Sequence, residues 1–503
     1  MPVYAAVDLG AESGRVLVGT MLDDRLRVTE THRFANRAVS LPDGLYWDIL
    51  ALYAQVADGL AATVAGARDR VTSIGIDGWG NDFALLDDSD ALLGNPRHYR
   101  DARTAGMTER IAERVGHQEI FRRTGVLSQS INASCQLLAM EGSALVREAR
   151  RLLLLPDLLT YWLTGEIVTE CTIASTTQLL ALDGAWASDV ITRLGIPRGL
   201  FQGPVVQAGT EVGRVRHDVA ADWRCEAGPR VVAVAEHDTA CAVAAVPAET
   251  PAFAYVSCGT WSLVGIEVHE PITSEAARRA GFTNEAGVGG TVRFLHNGTG
   301  LWLLQECRRL WASGQQAPSY EDLTRRAAAV ASFGSLIDPN HPTFLTVGDM
   351  PDRIRRYCQR TGQAPPAHPA AVVRCILESL AMAYRRAIEM AEELSGLSVD
   401  VLHLVGGGAA NELLCQLTAD VTRRPVVAGP EEATGVGNLL IQAWTDGQIG
   451  SLAELRSVVA RSFSPRRYEP EASRDQIDEA YGRFCRLADA ANEAYVVTAS
   501  GGI

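Results

Sequence analysis

Val3-Tyr4-Ala5-Ala6-Val7-Asp8-Leu9-Gly10-Ala11-Glu12-Ser13-Gly14-Arg15-Val16-Leu17-Val18-Gly19 sets two β-forming runs around a short polar turn that carries glycine. The pattern predicts a hairpin: strand, turn, strand. The same shape returns in Phe253-Ala254-Tyr255-Val256-Ser257-Cys258-Gly259-Thr260-Trp261-Ser262-Leu263-Val264-Gly265-Ile266, where Gly259 follows Gly10 by 249 residues in a chain of 503. That offset is close to half the length and points to an internal duplication.

Outward from the hairpins, short β-rich runs alternate with helices. Residues 71–83 read as a strand with a glycine-rich tail, and 109–115, 136–149 and 156–163 as helices. The run Arg230-Val231-Val232-Ala233-Val234-Ala235 is a strand leading into Glu236-His237-Asp238-Thr239. A helix is expected over 300–312, and residues 360–369 are polar, proline-rich and loop-like. Val372, Val373, Ile376, Leu377, Leu380, Tyr384, Ile388 and Ala391 recur at helical spacing, with Gly396 placed as a C-terminal cap. Strand 401–405, the turn Gly406-Gly407-Gly408 and a helix from Asn411 follow, and 474–496 is again amphipathic. This is α/β construction.

The length exceeds what one core organises, so two large domains are expected. Lys plus Arg number 46 against 60 Asp plus Glu, a formal charge of −14. Such an acidic balance disfavours nucleic acid or an anionic membrane as partner. No run approaches the ~20 apolar residues of a membrane helix, and no secretory leader is apparent, so a cytoplasmic protein is expected. The ten cysteines are scattered without a CxxC pair, which fits neither a zinc site nor a disulfide framework.

Five constellations carry candidate chemistry. In the first turn, Gly10 and Gly14 relax the backbone, Ser13 and Arg15 offer donors to a phosphate, and Asp8 suits Mg²⁺ held through water. An ordinary hairpin with a structural Asp is the bland alternative. Gly259-Thr260 occupies the matching turn. Gly406 to Gly408 let a phosphate or a flat ligand approach closely, or simply make a tight turn. His237-Asp238 ends a strand, where a carboxylate can accept a proton from an alcohol; Asp238 as a helix cap is the competing reading. Trp79 reads either as a wall for a sugar face or as a core residue.

Taken in order, Asp8 to Arg15, Ile76-Asp77-Gly78-Trp79-Gly80-Asn81-Asp82-Phe83, His237-Asp238-Thr239-Ala240, Ser257 to Leu263, Asn297 to Gln305 and Val405 to Gly408 resemble the FGGY carbohydrate kinases, and within them the rhamnulokinase branch. The resemblance implies two actin-like (ribonuclease H-like) α/β domains with a nucleotide and sugar cleft: 1–245 with sugar site and base, 246–465 with ATP, and a helical segment 466–503. It implies ATP-dependent phosphorylation of a ketose, L-rhamnulose on O1, with Mg²⁺. Asp238 would be the general base, and Gly80, His237, Asp238, Thr239 and Asn297 the sugar contacts. Ala11, Glu12, Ser13, Gly14, Arg15, Thr260, Gln305 and Gly407 would contact ATP, with Asp8 near the metal. Ketose and ATP are the implied partners, and the oligomeric state stays open between monomer and homodimer. Kinases for L-fuculose or L-ribulose, and a non-catalytic actin-like ATP-binding regulator, are the alternatives. Cys358 and Cys375 match a pair that can be bridged in a relative, a bond that a reducing cytosol disfavours.

Overall fold

Residues 3–9 carry one ionisable group besides Tyr4, so the strand belongs inside, and it lies there. The computed structural model describes residues 2–67, 71–312 and 318–500, the last ten as backbone. Strand β1 (Val3–Leu9) is buried from Tyr4 onward. It pairs antiparallel with β2 (Ser13–Leu22), setting Asp8 opposite Arg15 and Leu9 opposite Gly14. Strand β3 (Arg25–Ala35) continues the meander. On its other side β1 runs parallel to β4 (Val71–Gly78), with Asp8 beside Asp77. Strands β5 (Thr210–Arg214) and β6 (Arg230–Ala233) complete the order β5–β6–β4–β1–β2–β3, β6 parallel to β4 and β5 antiparallel to β6.

A second sheet uses β7 (Phe253–Cys258), β8 (Trp261–Val268), β9 (Val292–Thr299), β10 (Val401–Val405), β11 (Val426–Ala428) and β12 (Arg466–Tyr468). With the strand Phe282–Ala286 at one edge the sheet has seven strands, and from it the order runs β9–β8–β7–β10–β11–β12. Again the hairpin's first strand has parallel neighbours on one side, β10 then β11, and an antiparallel strand at the edge. The duplication read from the hairpins therefore extends to the order of six strands, the second sheet adding Phe282–Ala286 at its edge. Both are actin-like α/β sheets.

Contacts divide the chain into two units. The first holds residues up to Glu249, Glu267–Phe294 and Ala433–Ser464; the second holds Thr250–Ile266, Leu295–Glu432 and the chain from Pro465. The expected contiguous segments 1–245, 246–465 and 466–503 thus meet a more interleaved arrangement. The reason is visible in helix Ala433–Thr445, which packs on β1, β4 and helix Asp238–Ala244 of the first unit. The helix expected over 136–149 is split into Ala133–Ala139 and Ala144–Glu148, with Gly142 at φ 73° in the break. Among the described residues one helix, Ile49–Gly66, is long and apolar enough to cross a membrane. Its Ile49, Leu52, Val56, Leu60 and Val64 lie in the core beside β1 and β2.

Two sets of buried polar contacts support the sheet where the chemistry-bearing residues stand. Along helix Ala433–Thr445, Gln442 donates to the Ala5 carbonyl at 2.9 Å and to Asn438 Oδ1 at 2.7 Å. Asn438 donates to Asp77 Oδ2 at 2.6 Å. The helix lies so close to helix Asp238–Ala244 that a Cβ on Gly437 would fall 2.0 Å from the Cys241 carbonyl oxygen, and so close to the sheet that one on Gly435 would fall 2.1 Å from Leu17. Beneath the 236–238 turn, Glu170 Oε2 accepts from Glu236 N at 3.1 Å and from Thr172 Oγ1 at 2.5 Å, while Thr172 Oγ1 accepts from His237 N at 3.2 Å. Asp157 and Glu236 are buried with Glu170, and burial pushes all three carboxyls up, Asp157 to about 8. The Asp157–Glu236 pair therefore keeps a proton at neutral pH.

Replacing Gly437 with Ala should destabilise the protein by roughly 1–3 kcal/mol through overpacking, read as a lowered urea midpoint. Asp157 has a raised folded-state value, so its stabilising contribution is complete below about pH 4, its ordinary value, and fades as pH rises towards about 8. Asp157→Asn should flatten the fall in urea midpoint between those limits; an unchanged slope would refute that assignment.

Candidate active site

Three adjacent parallel strands bring carboxylates to one sheet edge of the first unit. Asp8 and Asp77 are neighbours across β1 and β4. Beyond β6 the chain continues extended, so that Gly78 bridges His237 and its N–H donates to the Glu236 carbonyl at 2.9 Å. Asp238 then opens helix Asp238–Ala244 with His237 in the capping position. Asp238 is therefore the first helical residue rather than the cap that its sequence also allowed. Its Oδ1 accepts from Thr239 N at 2.5 Å and from Thr239 Oγ1 at 3.1 Å.

Exposure separates the three acids. The Asp238 side chain is 31% exposed and Asp8 is 7% exposed. Asp77 is fully buried. Asp77 is pushed well above the carboxylate range by burial and by the charge of Asp8, against the hydrogen bond from Asn438. Asp238 is raised too, chiefly by desolvation and then by Asp8, while His237 and Thr239 pull it down. Both shifts have the sign expected of like charges gathered away from water. Asp238 is thus a carboxylate with raised basicity and a face open to solvent. That combination suits a general base.

The first turn departs from expectation in its reasons. Neither Gly10 nor Gly14 has positive φ. Gly14 is needed because a Cβ there would meet the Phe34 ring at 2.3 Å, and Gly10 N closes the turn onto the Ser13 carbonyl at 2.9 Å. Glu12 and Ser13 are exposed, and Ala11 is half-buried. Arg15 and Asp8, expected to serve different ligands, hold each other: Nε and Nη2 of Arg15 donate to Asp8 Oδ2 at 2.9 and 2.6 Å. Trp79 is a core residue rather than a wall, 8% exposed, packed on Trp47 at 4.4 Å and donating to Asp82 at 2.9 Å. Gly80 lies over Thr176, whose Oγ1 a Cβ would approach to 2.8 Å.

In the second unit, Thr260 stands in the β7–β8 turn and its carbonyl accepts from Gly300 N at 3.1 Å and Trp302 N at 3.2 Å. The turn is thereby fastened to the start of helix Trp302–Trp311, which carries Gln305; Gln305 Oε1 is buried and has no hydrogen-bond partner. Gly406, at φ 78°, and Gly408 press on Cys258, with a Gly408 Cβ falling 2.5 Å from its Sγ. Gly407 is exposed with open space where a Cβ would be. Asn297 is half-buried on β9. The expected residues fall into two sets. Asp8, Ala11 to Arg15, Gly80 and His237 to Thr239 lie in the first unit; Thr260, Asn297, Gln305 and Gly407 lie in the second.

Sequence reasoning missed Asp77, Asn438, Glu285 and Arg293. Arg293, fully buried, places Nη2 3.0 Å from His237 Nδ1, with Glu285 Oε2 3.3 Å from the same nitrogen. Asp77 was legible only as the end of an apolar strand; the others depend on tertiary placement. Cys358 and Cys375 are both buried and unbridged. Cys241 is pushed well above the ordinary thiol range by burial, so it is no thiolate. Among the described residues no three His, Cys, Asp or Glu side chains converge to hold a metal. Asp8 is the acid whose chemistry fits Mg²⁺ held through water and substrate phosphates, its carboxylate being a hard oxygen donor that reaches solvent more than Asp77 does.

The chain matches the model of the FGGY family of carbohydrate kinases, N-terminal domain, over residues 3–245 and that of the C-terminal domain over 254–445. A rhamnulokinase from Bacteroides thetaiotaomicron is 41% identical over 471 residues, 93% of this chain and 96% of the relative. One from Bacillus subtilis is 35% identical over 470 residues, 93% of this chain and 96% of the relative. Among solved structures, a ligand-bound xylulose kinase from Lactobacillus acidophilus superposes with a TM-score of 0.79 at 14% identity, covering both chains fully. Plasmodium falciparum glycerol kinase with ADP gives 0.78 at 13% identity, covering 98% of each chain. Such distant structures establish the fold, and the family models with the near relatives establish the lineage. The chain belongs to the FGGY family of carbohydrate kinases.

Proposed function

We propose that this carbohydrate kinase phosphorylates L-rhamnulose on O1, using ATP, with Asp238 as the general base. The observation that carries the proposal is the Asp238 carboxylate, the solvent-reaching member of three acids at the sheet edge. The rhamnulokinase names of the near relatives support the choice of ketose.

Asp238 takes the proton from the sugar hydroxyl as its oxygen bonds to the γ-phosphorus, the bond to the bridging oxygen breaks and ADP leaves. His237, Thr239, Gly80 and Asn297 orient the sugar. The donors of the first turn, with Arg15 and Ser13, hold phosphate oxygens, while Thr260, Gln305 and Gly407 receive the rest of the nucleotide. Mg²⁺, held through water by Asp8, would neutralise charge that develops on the phosphates. An anion at the turn would compete for the Arg15 donors that Asp8 now receives, leaving Asp8 among the residues that would hold the cation. Because ATP is a substrate, the cytoplasm is where we place the reaction, with either a monomer or a homodimer compatible.

Asp238→Asn should lower turnover by at least ~10² while leaving ATP binding near normal; near-normal turnover would remove Asp238 from the mechanism. The base must be ionised and its carboxyl is raised, so activity should be lost as pH falls through a value above the ordinary ~4. An acid limb of kcat/KM at or below pH 4 would contradict this. In a coupled ADP-release assay over L-rhamnulose, L-fuculose, L-ribulose and D-xylulose, L-rhamnulose should give the highest kcat/KM. A higher value for another ketose reassigns the substrate.

A further inference from the structure

A fully buried guanidinium is tolerated where its charge and its donors are matched. Arg293 has its charge matched by a carboxylate and two of its donor nitrogens, Nε and Nη2, matched by acceptors. Its Nε donates to the Ala286 carbonyl at 3.0 Å, and Nη2 lies 3.0 Å from His237 Nδ1 in hydrogen-bond geometry. Glu285 supplies the opposite charge, with Oε2 3.1 Å from Nη1 of Arg293. Burial would raise the Glu285 carboxyl, yet the group lies below the usual range, the adjacent Arg293 guanidinium being the largest of the charges that lower it. Arginine offers only donors, so its bond to Nδ1 requires a bare lone pair there. The proton of a neutral imidazole then resides on Nε2, the nitrogen that faces Asp238 Oδ1 at 3.4 Å.

The opposite tautomer would give a different site. With the proton on Nδ1, Glu285 would accept it, Arg293 Nη2 would lose its acceptor inside the protein, and two lone-pair-bearing atoms would face each other across the gap to Asp238. The Nε2–H tautomer pairs Nη2 and still leaves Glu285 Oε2 its ion pair with Nη1, 3.1 Å away, whereas the Nδ1–H tautomer strands a buried charged donor. The charged groups facing the ring are Arg293, Glu285 and Asp238; the backbone of His237 is fixed separately by Thr172.

We propose that Arg293 is a positioning residue for phosphoryl transfer, holding His237 as its Nε2–H tautomer so that this N–H is directed at Asp238 and keeps the carboxylate aimed at the sugar hydroxyl. The proposal rests on the reading of Asp238 as base, and Arg293 lies outside the contacts assigned above to sugar, nucleotide or metal. Its effect on rate is that of misplacing a reacting group, on the order of 10²-fold.

The test is long-range proton–nitrogen NMR of the full chain labelled with ¹⁵N-histidine, the His237 signal being identified by its loss in His237→Gln. The expected wild-type pattern is a bare Nδ1 and a protonated Nε2. Arg293→Met should move the proton to Nδ1 and lower kcat by about 10–10²-fold, with little change in KM for ATP. Arg293→Lys, which keeps a donor, should recover part of both effects. A wild-type signal with Nδ1 protonated overturns the proposal without needing any Arg293 variant to fold. A folded Arg293→Met protein with an unaltered His237 signal also overturns it. Asp238→Asn in parallel separates the two ideas: normal turnover there removes the base and leaves the tautomer result to stand on its own spectrum.

Discussion

Three parallel strands that end at the same level put acidic side chains side by side, and the first unit is organised around making that tolerable. Carboxylates withdrawn from water repel one another and lose hydration, so each needs a donor, a cation or a proton. Asp8 has Arg15 and Asp77 has Asn438, while the Asp157–Glu236 pair retains a proton. Asp238 has the two Thr239 donors and His237 beside it but no guanidinium, and it is the one left open to solvent. The site is where compensation is weakest.

That arrangement explains why helix Ala433–Thr445, late in the chain, packs with the first unit. Its Asn438 reaches the carboxylate that no residue of the sheet satisfies, and Gly435 and Gly437 remove the side chains that would hold the helix away. A glycine inside a helix costs about 1 kcal/mol relative to alanine. The close approach, with the Gln442 and Asn438 hydrogen bonds, offsets it.

The hairpins, the strand ends carrying Asp8 and His237-Asp238, and the long helix capped by Gly396 were legible because alternation, glycine placement and helical spacing are local. Helix Ala433–Thr445 escaped notice because Val436, Asn438, Leu439, Leu440, Ile441 and Gln442 are all buried, so no polar face contrasts with an apolar one. Arg293 and Glu285 resembled any charged pair in a β-rich stretch; their meaning comes from contact with His237, which lies 56 residues from Arg293 in sequence. Gly14 was recognised as necessary but for another cause: the Phe34 ring decides it, and φ does not. Trp79 followed the general tendency of tryptophan to be buried, with Asp82 taking its N–H.

The two sheets share a strand order but not a chemistry, and the register shows where they part. In the first, Asp8 pairs with Arg15 across the hairpin and with Asp77 across the parallel strand. In the second, Ser257 stands at the equivalent place, with Leu263 across the hairpin and Val405 across the parallel strand. A charged triplet in one copy is therefore matched by a neutral one in the other. Carboxylates repel polyphosphate unless a cation intervenes, whereas a turn of glycines and backbone N–H groups does not. On the proposed reading, proton transfer and metal belong with the copy that kept its acids, and the bulk of the nucleotide with the copy that lacks them. Duplication supplied the shared frame, and the loss of two carboxylates and an arginine from one copy is enough to divide the work.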